Sequence, residues 1–389
     1  MKNLLKASRI RFFAMLLAVT LALPFSWQGF TGVYAWLSPF IMLNSVLALK
    51  SLLWLNLPGF IVLGFSLYRK RWFCRYLCPV GWGCDKVSRY SHRKGFSLSR
   101  IPAIGRWLAL ISLFAALAGF PVFIILDPVS MFNGFFSIFS GRLSLALFIS
   151  FSVLPLLLAS HLFFPGLWCS RLCPLGGLQD ELSWIKKKAG GIRKKQAAPS
   201  LTSNPGRRFF IASGIGVLSG LTLTKLMHPG ENKFFRPPGS VSSEKFNVLC
   251  TRCGSCIKAC PTEIIIRHTG TVNLAGWMTP EVTFEKFGYC LESCNLCSRV
   301  CPSGAITLFD IKSKSLIKMG TALVHPENCL LMEFKECDRC MAACSYKAID
   351  LAYYDGSGPM VPRVDKETCV GCGACAAICP PLTIEMLRI

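Results

Sequence analysis

Sixteen of the 21 cysteines in this 389-residue chain fall into four groups beyond residue 249, and that spacing limits what the region can fold around. Cys250, Cys253, Cys256 and Cys260 precede Pro261, and Cys290, Cys294, Cys297 and Cys301 precede Pro302. Cys329, Cys337, Cys340 and Cys344 precede Ser345, and Cys369, Cys372, Cys375 and Cys379 precede Pro380. Three thiolates on so tight a loop can face one centre, but they make poor disulfide partners for one another. Gly254, Ser255, Gly371, Gly373 and Ala374 are small enough for the loops to curl and turn backbone N–H groups toward the sulfurs.

The first and last groups have the C-x2-C-x2-C-x3-C-P run that ligates [4Fe–4S] clusters, in which the fourth Cys serves the other cluster of a pair. Zinc knuckles space their C-x2-C pairs by a longer gap. Disulfides suit an oxidising compartment, but sixteen cysteines form a complete ligand set for four clusters. Four [4Fe–4S] clusters are therefore expected on these sixteen residues. Two pairings are open: one with two and three with four, or one with four and two with three. The short segments after the groups, such as CPTEII and CPSGAI, suit turns leading to brief strands, so residues 231–389 are expected to form an α+β poly-ferredoxin domain.

The other half is different in kind. Residues 1–230 carry 26 Lys+Arg against 4 Asp+Glu, whereas residues 231–389 carry 17 against 16. Basic residues in an apolar half mark cytoplasmic loops rather than a nucleic-acid footprint, so no nucleic-acid partner is expected. The mean hydropathy is +0.46. Four apolar stretches, 12–30, 52–68, 107–126 and 143–164, come near the roughly 17–25 residues a membrane span needs. The expectation is a membrane α-helical bundle of four spans over residues 1–188, with 31–49 re-entrant. A cytoplasmic linker at 189–206 and an anchor helix within 207–230 follow. A second linker, rich in Pro, Gly and Ser, covers 228–245. The positive-inside rule then puts the basic loops in the cytoplasm and the ferredoxin domain on the outer face of a bacterial inner membrane.

Two C-x3-C-P motifs follow the second and fourth stretches: Cys74 and Cys78 before Pro79, and Cys169 and Cys173 before Pro174. These four thiolates could enclose a further cluster, or each pair could be half of a site that a partner completes. Reduced structural thiols are the plain alternative. Cys84 has no assigned role. No C-x-x-C-H occurs, and His161 is the one histidine within a span, so no haem is expected. His161 is read as a helix-end residue facing the interface. Asp127 is read as a cap or interfacial residue, with a proton acceptor beside a quinone as the alternative. Arg207 and Arg208, before Phe209, Phe210 and Ile211, resemble an uncleaved twin-arginine export signal.

Region 250–379, including the C-x7-C-x2-C-x3-C of group three, resembles the four-cluster ferredoxin subunits of periplasmic nitrate reductase systems, the NapG type. The first half, with RWFCRYLCPVGW at 71–82 and LWCSRLCPLGG at 167–177, resembles the NapH-type membrane partner. The chain looks like the two fused. The resemblance implies a membrane-bound iron–sulfur protein that passes electrons between the quinone pool and a periplasmic reductase or cytochrome. No P-loop, G-x-G-x-x-G or nucleophile–base pair points to a substrate-converting site of its own. The alternative is a maturation or redox-sensing protein that supplies electrons for metallocofactor assembly.

Overall fold

The computed structural model describes residues 2–24, 28–91, 101–140, 145–189, 205–226, 234–269, 276–284 and 288–388. Most of the 189–206 linker and residues 228–233 lie outside these.

The apolar stretches of the first half are cut short by their own sequence. Stretch 52–68 becomes a 3-10 turn at Trp54–Asn56 and a helix of only 12 residues, Leu57–Tyr68. Stretch 107–126 becomes helix Ile104–Leu117, which ends before Gly119 at φ +93° and Pro121. At a rise of 1.5 Å per residue these helices measure about 18 and 21 Å, against a hydrocarbon core of about 30 Å. Helix Lys2–Ala22 carries Lys2, Lys6, Arg9 and Arg11. Helix Leu145–Phe163 contains Pro155, and helix Pro205–Leu226 contains Arg207, Arg208 and Lys225. Among the described residues, no helix is long and apolar enough to cross a membrane. This overturns the expected bundle of four spans with a fifth anchor. It also removes the basis for a multi-pass protein of the bacterial inner membrane with its ferredoxin domain outside.

The apolar side chains of these helices are instead buried on one another. Ala18, Phe40, Ile41, Val62, Phe73, Val80, Ala109, Ile124, Val129 and Leu175 belong to one core. Helix Ile104–Leu117 lies at its centre, packed by helices Pro39–Leu49, Pro174–Ala189 and Pro205–Leu226. Its start must come very close to helix Pro174–Ala189. A Cβ on Gly177 would stand 2.3 Å from the Gly105 carbonyl oxygen, so only glycine fits there. Each large apolar side chain buried here contributes roughly 1.5–3 kcal/mol.

The second half consists of short helices and three two-stranded antiparallel sheets. Ile265–Arg267 pairs with Pro280–Val282, Gly320–Val324 with Ile384–Arg388, and Ile349–Tyr353 with Met360–Val364. Each cysteine group places a short helix before its closing Cys: Ser255–Ala259, Leu296–Arg299, Arg339–Ala342 and Ala374–Ile378. The third residue after each closing Cys is left-handed: Glu263, Gly304, Lys347 and Leu382. Ser345 therefore replaces the usual proline without altering the turn.

The two halves are joined by buried polar contacts. Lys258 Nζ donates to Ala22 O at 2.9 Å, Asn133 O at 3.2 Å and Asn133 Oδ1 at 2.5 Å. Asn133 Nδ2 donates to Ser255 Oγ at 2.6 Å, Ser45 Oγ to Ser303 O at 2.7 Å, and Arg267 Nη2 to Ser137 Oγ at 2.7 Å.

Candidate metal centres

The fold gathers the sixteen cysteines into four rings and decides between the two pairings. Cys250, Cys253 and Cys256 line one cavity with Cys301 from the next group. Cys260 in return acts electrostatically on Cys290 and Cys297, which neighbour Cys294. Cys329, Cys337 and Cys340 line a cavity with Cys379, and Cys344 lines another with Cys369, Cys372 and Cys375. Adjacent groups thus exchange their closing cysteines, one with two and three with four. The short helix and left-handed turn around each closing Cys carry it over to the neighbouring ring.

Burial raises several of these thiols. Cys301, Cys340 and Cys372 are pushed up to about 11, and Cys375 to about 12. A cation entering such a ring displaces the protons and neutralises the thiolates, so the donor sets fit metal clusters of four thiolates each. Backbone amides point at the closing sulfurs: Ile306 N–H donates to Cys301 Sγ at 3.4 Å and Ala348 N–H to Cys344 Sγ at 3.3 Å. Buried cations surround the first ring. Arg252 and Arg267 are held close, with Arg267 Nη1 donating to Arg252 O at 3.1 Å. Lys258 stands beside Cys253 and Cys256. Lys314 Nζ donates to Cys294 O at 2.6 Å and to Leu291 O beside the second ring. No periodic pattern marks these four, because their proximity to the cysteines is tertiary.

In the first half, Cys74, Cys78, Cys169 and Cys173 come together around one cavity of about 550 Å³. The two motifs are built alike. Cys78 caps helix Pro79–Ser88, with Gly81 N–H donating to its Sγ at 3.3 Å. Cys173 precedes Pro174 in the same way and accepts from Gly176 N–H at 3.4 Å. Proline at the first helical position fits because its missing N–H would be unpaired there anyway. Gln179 Nε2 donates to Cys74 Sγ at 3.2 Å. Arg71 grips Asp180 through Nε at 2.9 Å and Nη2 at 2.5 Å, and its Nη1 donates to Cys169 O at 3.1 Å. Burial pushes Cys74 up to about 12 and also raises Cys78 and Cys173. Cys169 is drawn down to about 6 because the Cys84 thiol donates to it and His161 stands beside it, while Cys84 is raised.

One residue differs from its expected place. His161 does not face an interface: it is fully buried, because helix Leu145–Phe163 packs on helix Pro79–Ser88. Cys84 shares its helical face with Val80, which lines the cavity, and this i, i+4 relation was the available sequence signal. Asp127 is a cap: its Oδ1 accepts from Val129 N–H at 2.9 Å and Ser130 N–H at 3.1 Å, and Ser38 Oγ donates to Oδ2 at 2.6 Å. Arg207 and Arg208 lie in the first turn of helix Pro205–Leu226, and their side chains are outside the described residues.

The first half and the rings are close neighbours. Pro128 lines the cavity, and five residues along helix Pro128–Phe135 Asn133 binds Ser255 and Lys258 of the first ring's loop. The expected separation across a hydrocarbon core does not hold.

Four cysteine rings on paired C-x3-C loops make this an iron–sulfur protein of the ferredoxin type. Comparison with known proteins agrees. A 4Fe-4S dicluster domain matches residues 335–381, one 4Fe-4S binding domain matches 247–266, and another matches 52–97 and 145–191. The methylamine utilization ferredoxin-type protein MauM of Paracoccus denitrificans (strain Pd 1222) is 32% identical over 182 residues, covering 43% of this chain and 78% of that protein. The ferredoxin-type protein NapG of Escherichia coli (strain K12) is 33% identical over 175 residues, covering 43% of this chain and 74% of that protein. No solved structure matches the chain. The chain belongs to the MauM/NapG family of ferredoxin-type, 4Fe–4S electron-transfer proteins.

Proposed function

We propose that the sixteen ring cysteines hold four [4Fe–4S] clusters and that the chain conducts electrons between a quinone and a partner oxidoreductase. Each cluster would supply one reversible electron. The observation that carries this reading is the order of the rings. Cys301 and Cys260 interlock the first two, and Cys344 and Cys379 interlock the last two. Cys290 and Cys372 touch across the middle. The protein's part is to exclude water, aim N–H groups at sulfur and balance charge with Arg252, Arg267, Lys258 and Lys314.

In this reading the first half is the counterpart of a NapH-type partner, fused to a NapG-type ferredoxin. Its cavity cysteines, Cys74, Cys78, Cys169 and Cys173, form a further cluster site at the head of the series. Helix Leu57–Tyr68, which leads to the cavity, exposes Leu57, Ile61, Phe65, Leu67 and Tyr68, and this apolar face suits a lipophilic quinone. Iron analysis of the anaerobically isolated chain tests the clusters: about sixteen irons are expected from the four rings, and about twenty with the cavity site. Zinc as the ring metal, or about eight irons, contradicts the reading. Reduction of the clusters by a quinol analogue in detergent tests the carrier. Equal rates with and without it remove the quinone from the proposal.

A further inference from the structure

At the cavity wall three ligand atoms converge, and the electron path uses neither Cys84 nor His161, two of their three bearers. Cys84 Sγ, His161 Nε2 and Cys169 Sγ all lie within 4.8 Å of one another. They come from three elements: helix Pro79–Ser88, helix Leu145–Phe163 and the turn Trp168–Leu172. Cys84 is 1% exposed and His161 0%.

The histidine sets the chemistry. Its Nδ1 lies 3.0 Å from the Leu157 carbonyl oxygen. A carbonyl only accepts, so the ring proton sits on Nδ1 and Nε2 carries a lone pair. That Nε2 is buried and faces the sulfurs of Cys84 and Cys169. A second ring nitrogen donating to a backbone carbonyl is how metal-binding histidines are commonly oriented. Two sulfurs and one imidazole nitrogen, with no carboxylate among them, exclude calcium and magnesium, which take oxygen ligands. Two thiolates and a neutral imidazole around a divalent ion also sum to zero charge, which suits a buried position.

We propose that Cys84, His161 and Cys169 bind a divalent cation of zinc type, at a site separate from the four cysteine rings. Cys169 also lines the large cavity. A thiolate has more than one lone pair, and Cys169 can serve this ion and a cluster in the cavity together. Sequence spacing alone hides the site, since its members are 77 and 8 residues apart.

The test uses the full chain, isolated anaerobically and supplied with zinc alone. Zinc X-ray absorption of the unaltered chain should show one tightly held zinc per chain, with sulfur at about 2.3 Å and nitrogen at about 2.0–2.1 Å. An oxygen-only shell, or no zinc that survives a chelator, overturns the proposal without need of a variant. Cys84→Ser and His161→Gln should each weaken zinc retention at least about tenfold in chelator competition, with iron content unchanged. Cys74→Ser should leave zinc in place. Zinc retained in both variants overturns the proposal, and iron lost together with zinc assigns Cys84 and His161 to the cavity cluster instead. Total iron near sixteen tests the electron-transfer reading separately, so the two can fail independently.

Discussion

The Cys290 N–H donates to the Cys372 carbonyl oxygen at 2.9 Å, joining a ring of the second cysteine group directly to a ring of the fourth. The rings are therefore visited in the order one, two, four, three, and not in the order of the sequence.

Tyr346 sits at that junction. Burial raises its phenol, as do the thiols of Cys372, Cys290 and Cys344 around it. Tyr346→Ala should leave iron content unchanged and slow electron equilibration between the two pairs of rings about tenfold, equivalent to ~1.4 kcal/mol on the barrier. Freeze-quench spectroscopy after a reducing pulse measures it. An unchanged rate would show that the contact between Cys290 and Cys372 suffices without the phenol.

Interlocking by adjacent groups makes a second expectation specific. Cys301→Ser and Cys253→Ser should alter the same paramagnetic signal, while Cys260→Ser and Cys297→Ser should alter a different one. Loss of one signal in Cys301→Ser and another in Cys253→Ser would mean that group two does not complete ring one.

Lys258 is a buried connector whose ammonium holds acceptors from Ala22 and Asn133. Lys258→Met keeps most of the volume and leaves those oxygens unpaired. The expected cost is about 1–3 kcal/mol in urea unfolding of the whole chain. No change in midpoint would show that water replaces the ammonium without penalty.

Asp127 gives a pH dependence of known sign. Burial raises its carboxyl to about 6, against the ordinary 3.8. The folded chain thus holds a proton that the unfolded chain releases between those values. Stability from this group is fully present below the ordinary value and is lost as pH rises through about 6, by at most ~3 kcal/mol. Asp127→Asn should flatten the stability profile between about pH 4 and 6. A slope equal to that of the unaltered chain would assign the titration elsewhere.

The cysteine groups made the ring chemistry legible, because thiolate spacing is local and few other chemistries use it. Their pairing was not legible: C-x3-C-P tells that Cys260 leaves its own ring but not which ring receives it. Hydropathy misled over the first half because it records that Phe40, Ile41 and Leu175 must be covered, not what covers them. The breaks at Asn56–Pro58 and Gly119–Pro121 were visible in the sequence and are what shortens the helices. Cys84 and His161 escaped because only the packing of two helices gives them a common neighbour.

The exchange of closing cysteines also orders events during synthesis. The two rings next to the first half are complete once residue 301 has left the ribosome, whereas ring three waits for Cys379. The inner pair of rings can therefore be loaded while the outer pair is still being translated. A chain interrupted after residue 301 keeps both inner ligand sets whole, whereas one ending just short of Cys379 has already lost a ligand from the outermost ring.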